Sequence, residues 1–148
     1  MVCCLCELKG GLFGMATGHV YEWQPGRGYA VVPGSEFPFP NGIEVSPDER
    51  YAYVNLYLSS EVVKHDLVEG KVVRRAPVNS PDNSTWGPDG RLLVASHNAS
   101  LPDMNQCGEL ERGACGFEFS IVALDPESLA GEVLFTNAGP PMGAGTVG

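Results

Sequence analysis

No segment of this 148-residue chain approaches the roughly 20 consecutive apolar residues that a membrane-spanning helix requires, so no transmembrane helix is expected. Positive charge is scarce as well. Nine Lys and Arg stand against 18 Asp and Glu, a formal net charge of −9, and such a surface repels the phosphates of nucleic acids and anionic membranes. An acidic balance suits a cation instead. The first residues, Met1-Val2-Cys3-Cys4-Leu5-Cys6-Glu7-Leu8-Lys9-Gly10-Gly11, lack the basic start and sustained apolar run of a secretory signal. The expectation is a soluble chain whose compartment is left open, with the cytoplasm favoured over export. Cysteines are few and odd in number, five in all. Cys3, Cys4 and Cys6 have no second ligand pair or histidine at zinc spacing nearby, which argues against a structural zinc. Cys107 and Cys115 bracket a short Gly-containing segment, and either a local disulfide or two free thiols fits them.

What is present in quantity is apolar residues, 43%, together with 19 Gly and 12 Pro. That mixture argues against long helices and for short strands joined by many turns, so the fold class expected is all-β. The chain is also internally repetitive. Asn41-Gly42-Ile43-Glu44-Val45-Ser46-Pro47-Asp48-Glu49-Arg50-Tyr51-Ala52-Tyr53-Val54 reads as strand, tight turn, strand, and so does Asp82-Asn83-Ser84-Thr85-Trp86-Gly87-Pro88-Asp89-Gly90-Arg91-Leu92-Leu93-Val94. Pro47 recurs as Pro88 and Asn41 as Asp82, both at an offset of 41 residues. One blade of a β-propeller has that length, about 40–50 residues.

An outer hairpin follows each inner one. Glu61–Asp66 with Gly70–Val73 matches Ser120–Asp125 with Gly131–Leu134. Ahead of them, His19–Trp23 and Tyr29–Val32 resemble the outer hairpin of a preceding blade. The expected organisation is an atypical segment over 1–16, then a partial β-propeller over 17–148: an outer half blade at 17–35, a full blade at 41–76, and a second at 82–136. The offset grows to 59 between Val63 and Val122, which places an insertion of 18 residues within 98–116. Long insertions of this kind usually serve as binding loops or lids. A propeller needs about 4–8 blades to close, so two and a half blades leave unpaired edges through which the chain would self-associate or be completed by further sequence.

The first strand of each propeller blade lines the central channel, so equivalent repeat positions converge. Asn41 and Asp82 are such a pair, with Asn83 alongside. Amide and carboxylate oxygens on a common axis are the hard ligands that Ca2+ prefers. The same residues also serve ordinary turns ahead of strands, where local hydrogen bonds and left-handed conformations favour them.

Asn41-Gly42-Ile43-Glu44-Val45-Ser46-Pro47-Asp48 resembles the hallmark of the senescence-marker/gluconolactonase family and the matching stretch of paraoxonases. Asp82-Asn83 with Gly87-Pro88-Asp89-Gly90-Arg91-Leu92-Leu93-Val94-Ala95-Ser96-His97 is similar to the next blade of those proteins. The resemblance spans roughly residues 17–148, and the two motifs fall in order at blade spacing. It implies a six-bladed propeller holding Ca2+ or another divalent cation in its channel. It further implies Asn41 and Asp82 as metal ligands, Asn83 as a third in paraoxonase-like members, Asp82 also as the base that activates water, and His97 near the pocket. The family's Glu ligand on an early blade, a further Asn ligand and the paraoxonase histidine pair have no match in this chain.

The function so implied is calcium-dependent hydrolysis of small lactones or esters. The cation would polarise the carbonyl, and Asp82 would take the proton of the attacking water. Two other readings stand beside it: a strictosidine-synthase-like propeller that does not depend on channel metal ligands, and a non-catalytic propeller serving as a binding platform. His19 and His65 fall within outer-hairpin strands, where satisfied or solvent-facing imidazoles are expected. Trp23 and Trp86 are expected as core aromatics between blades.

Overall fold

A computed structural model describes residues 2–5, 15–100, 102–103 and 115–146. Within them the chain is all-β. Its strands are β1 (Val2–Leu5), β2 (Gly18–Gln24), β3 (Gly28–Phe37), β4 (Pro40–Val45), β5 (Tyr51–Leu56), β6 (Glu61–Asp66), β7 (Lys71–Pro77), β8 (Pro81–Trp86), β9 (Leu92–His97), β10 (Phe119–Leu124) and β11 (Gly131–Asn137). Three antiparallel sheets follow one another along the chain, ordered β1-β2-β3, β4-β5-β6-β7 and β8-β9-β10-β11. Up-and-down sheets stacked in sequence order are what successive propeller blades look like. Val2–Leu5, which the sequence sets apart from the repeat, pairs with β2 and gives the first sheet a third strand.

The middle sheet is covered on both sides, and this explains why β5 and β6 read as nearly unbroken buried runs. Side chains alternate along a strand. From β5, Ala52, Val54 and Leu56 turn to the first sheet and pack with Val20, Val32 and Phe37. Tyr51 and Tyr53 turn to the third sheet and meet Leu92, Val94, Leu124 and Trp86. Polar ties cross the same seams. Trp86 Nε1 donates to the Val45 carbonyl at 2.8 Å, Tyr53 Oη to the Pro126 carbonyl at 2.9 Å, and Lys64 Nζ to the same carbonyl at 3.0 Å.

Several sequence expectations change here. Trp86 does sit between sheets, but Trp23 is 41% exposed and is not a core residue. His65 is neither solvent-facing nor fully satisfied. It is completely buried, with Nε2 on the Pro33 carbonyl and no hydrogen-bond partner for Nδ1 among the described residues. In the outer hairpins the structural partner of Gly70 is Leu129 rather than Gly131. Both have positive φ, 64° and 56°, and both donate their N–H to an aspartate carbonyl four residues earlier, Asp66 or Asp125. The matching of glycines by type misses this because a leucine fills the left-handed position. Cys115 is disulfide-bonded; Cys6, Cys107 and most of the 98–116 insertion lie outside the described residues. No helix among the described residues is long and apolar enough to cross a membrane.

Candidate functional site

β4 and β8 begin in the same irregular way. Phe39 and Ser80, 41 residues apart, both hold positive φ, 46° and 34°, and each precedes a proline, Pro40 or Pro81. A bulky residue in that region is uncommon, and the strain is tolerated only where the surroundings fix it. Directly after the proline the ladder slips, between Pro40 and Ile43 in the second sheet and between Pro81 and Ser84 in the third. A bulge of this kind re-aims the residue at its centre. Asn41 and Asp82 are those residues, and Asn41 Nδ2 donates to Asp82 Oδ1 at 2.5 Å.

The close approach of β4 to β8 requires Gly42. A Cβ there would lie 2.2 Å from the Asp82 carbonyl oxygen and 2.7 Å from the Asn83 Cα, so no other residue fits without moving a backbone. The backbone of Asp82 is held from the other side as well. Asn55, fully buried, donates Nδ2 to the Asp82 carbonyl at 2.9 Å and to Ser84 Oγ at 2.8 Å, while Ser84 Oγ donates back to Asn55 Oδ1 at 3.0 Å. Strand alternation accounts for this. Asn55 and Tyr57 continue the Tyr51, Tyr53 side of the chain that faces the third sheet.

The Asp82 carboxylate is 13% exposed and the His97 side chain 8%, with Nε2 of the imidazole 3.8 Å from Asp82 Oδ2. Among the described residues no Lys or Arg pairs with Asp82. Burial raises its carboxyl above the ordinary range, against the opposing pull of His97 and the Asn41 hydrogen bond. His97 stands among aromatic rings, edge-on to Tyr57 at 5.6 Å and to Phe117 at 4.9 Å. Tyr57 Oη lies 3.0 Å from His97 Nδ1, and burial together with the Asp82 charge pushes this phenol up to about 12, so it remains a donor. The opposite nitrogen, His97 Nε2, lies 2.7 Å from the Gly145 carbonyl.

Asn41, Asp82 and His97 therefore come together, while no hydrogen bond joins Asn83 to them. No group of three His, Cys, Asp or Glu gathers around one point among the described residues. The clefts at Glu22, Val32, Ile43 and Leu67 and at Tyr51, Trp86 and Pro126 hold none of the site residues. Asn55, Tyr57 and Gly145 escape sequence reading. Asn55 has one visible signal, a polar residue amid the apolar run Tyr51–Leu56, whereas Tyr57 reads as core and Gly145 as part of a glycine-rich end.

The chain is similar in fold to luciferin-regenerating enzyme. That structure superposes with a TM-score of 0.57 at 17% identity over 93% of this chain and 42% of its own. A protein of unknown function from Bacteroides caccae aligns with a TM-score of 0.49 at 18% identity, over 82% of this chain and 38% of its own. No family model matches the sequence, and no curated protein matches it. At such identity the likeness concerns the fold, and the chain spans about two fifths of the luciferin-regenerating enzyme structure.

Proposed function

We propose that this chain is part of a six-bladed β-propeller hydrolase that binds a divalent cation, calcium by the hardness of its ligands, and acts on small lactones or esters. The observation that carries the reading is the meeting of Asn41 and Asp82 from equivalent positions of adjacent sheets, with His97 alongside. A mostly buried carboxylate with no Lys or Arg partner among the described residues is electrostatically incomplete, and a cation offsets the cost of keeping it ionised. Asn41 offers an amide oxygen as the alternative to its NH2 group, so the pair presents the oxygen donors that calcium takes. A calcium ion accepts about six to eight oxygens, so these two residues supply part of a shell whose remainder comes from water and from residues beyond this pair.

A cation held there would supply electrophilic polarisation of a substrate carbonyl. The chain's own groups provide the rest. Asp82 stands where a water could lose its proton. Phe117 and Tyr57 stand edge-on to His97 and give the site apolar sides, and exclusion of water there would strengthen each charge interaction. The likeness in fold to an enzyme supports the reading without fixing its chemistry. Ring closure would come from sequence outside this chain or from further copies packed on its end sheets.

Isothermal titration of calcium into the chain and into an Asn41→Ala/Asp82→Ala variant, both shown folded by circular dichroism, tests the site. Binding that disappears in the variant, with lactone or aryl-ester hydrolysis that depends on added calcium, is the expected result. A folded parent that neither binds calcium nor hydrolyses either substrate class would count against the reading.

A further inference from the structure

Both nitrogens of His97 are committed, and their partners fix which one carries the proton. The Gly145 carbonyl, 2.7 Å from Nε2, can only accept. Nε2 is therefore the donor, Nδ1 of the neutral ring holds the lone pair, and Tyr57 Oη donates to it across 3.0 Å. The Nδ1 lone pair of this histidine is engaged by the Tyr57 hydroxyl. What it presents to the site is an N–H, and the Asp82 carboxylate oxygen lies 3.8 Å from the same nitrogen.

The group now accepting that N–H is informative. It is a neutral, planar carbonyl beside a carboxylate, and it shares with the acyl carbonyl of an ester or lactone the capacity to accept this hydrogen bond. The peptide carrying it is pressed into place: a Cβ at Gly145 would lie 2.4 Å from Phe119 Cε2, and a Cβ at Gly116 would lie 2.8 Å from Pro140 Cγ. Ala144 N–H donates to the Cys115 carbonyl at 2.6 Å, which holds the segment across the site.

We propose that the Gly145 carbonyl occupies the place of a substrate's acyl oxygen, and that Tyr57 is a positioning residue that keeps the His97 Nε2–H available to donate to that oxygen. This rests on the hydrolase reading above and assigns its oxyanion donor. When water adds to the acyl carbon, a C–O bond forms, the carbonyl π pair moves onto the oxygen held by Nε2–H, and the water proton passes to Asp82 Oδ2. On collapse the ester C–O bond breaks, the carbonyl is restored, and the leaving oxygen takes the proton from Asp82. Acid and alcohol are released, and His97 keeps its own proton throughout.

The test is long-range 1H–15N NMR of the His97 imidazole at alkaline pH, in the parent, Gly145→Ala and Tyr57→Phe/Gly145→Ala, with circular dichroism to confirm folding. The parent should carry its proton on Nε2, and Tyr57→Phe added to Gly145→Ala, where neither partner fixes the ring, should mix in the Nδ1–H form. In Gly145→Ala the added methyl would lie 2.4 Å from the Phe119 ring, and because that ring is buried the expected response is displacement of the Gly145 segment with its carbonyl. The unreactive carbonyl ligand δ-valerolactam should then shift the His97 Nε2–H signal at concentrations about fivefold lower than in the parent, a change of about 1 kcal/mol in binding. A parent protonated on Nδ1, a Tyr57→Phe/Gly145→Ala tautomer unchanged from that of Gly145→Ala, or a Gly145→Ala ring indifferent to the lactam would each overturn the proposal. None of these signals needs turnover. A protein that shows all three yet hydrolyses nothing keeps the donor site and loses the hydrolase reading.

Discussion

Asn41 and Asp82, 41 residues apart in sequence, are joined side chain to side chain across the seam between β4 and β8. The distance in sequence equals one repeat, so each residue occupies in its own sheet the position that the other occupies next door. Two matched backbone devices produce the contact, the positive-φ residue with its proline and the bulge that follows. A neighbouring bond follows the same rule, since Trp86 reaches Val45 at the same separation of 41.

Gly42→Ala is expected to open this seam. Its methyl would meet the Asp82 carbonyl oxygen at 2.2 Å and Asn55 Nδ2 at 2.8 Å, and one of the two contacts is with backbone. Overpacking of this kind costs about 1–3 kcal/mol. Chemical denaturation should show that loss, with calcium affinity falling as well because Asp82 is displaced. A variant with unchanged stability and affinity would mean that the strands separate freely.

His65 should make the fold sensitive to mild acid. Its Nε2 donates to the Pro33 carbonyl at 3.0 Å, and its ring meets Phe37 edge-on at 5.8 Å. Burial lowers its proton affinity, against the opposing effects of the Pro33 carbonyl and the Asp66 charge. The unfolded chain therefore takes up a proton near pH 6.5 that the folded chain refuses until lower pH. The stability is present above the unfolded value and is lost as pH falls through the window below it. Melting curves between about pH 7 and pH 5 should fall for the parent more steeply than for His65→Phe. At neutral pH that variant should lose about 1 kcal/mol with the Pro33 hydrogen bond.

Sequence patterning revealed the repeat, the all-β class and the pairing of Asn41 with Asp82 because those features are local or periodic. The residues it missed act at a distance. Asn55 and Tyr57 become site residues only because the middle sheet is covered on both faces, which turns one side of β5 toward the third sheet. Gly145 reaches His97 from 48 positions away, a closure that no periodicity announces. Trp23 departs from the expectation for a related reason: aromatic identity signals burial only when another sheet covers that face, and at 41% exposure Trp23 lacks such a cover among the described residues. Leu129 in a left-handed position defeats a glycine-based alignment of the outer hairpins.

Lys64 holds the second and third sheets together. Its side chain is 4% exposed, with Nζ 3.0 Å from Glu127 and 4.1 Å from the centre of the Tyr51 ring. Glu127 itself is 82% exposed, so the ion pair adds little and the contacts with the ring and the Pro126 carbonyl carry the effect. Lys64→Ala should cost about 1–3 kcal/mol through lost packing and the lost hydrogen bond to the Pro126 carbonyl, which keeps Tyr53 Oη as its other donor. Glu127→Ala should cost less than about 0.5 kcal/mol. Denaturant titration of both variants separates the two contributions, and equal losses would return the weight to the ion pair.

Asp82→Asn is expected to stabilise the chain without calcium and to destabilise it, relative to the parent, when calcium is present. Burial raises the Asp82 carboxyl, so the folded state binds a proton more readily than the unfolded state does. Stability then falls as pH rises through the folded value, and at neutral pH the ionised carboxylate is a net cost. Asparagine removes that cost while retaining an oxygen to accept from Asn41. Calcium reverses the order by mass action, because a ligand bound only to the folded parent adds RT ln(1 + [L]/Kd), about 2.7 kcal/mol at a hundredfold excess over Kd. Thermal melts of parent and variant at neutral pH, in chelator and then in calcium, should therefore cross. Variant melting below parent in chelator would mean that the buried charge is already compensated by the protein, and the case for a cation beside Asp82 would fall with it.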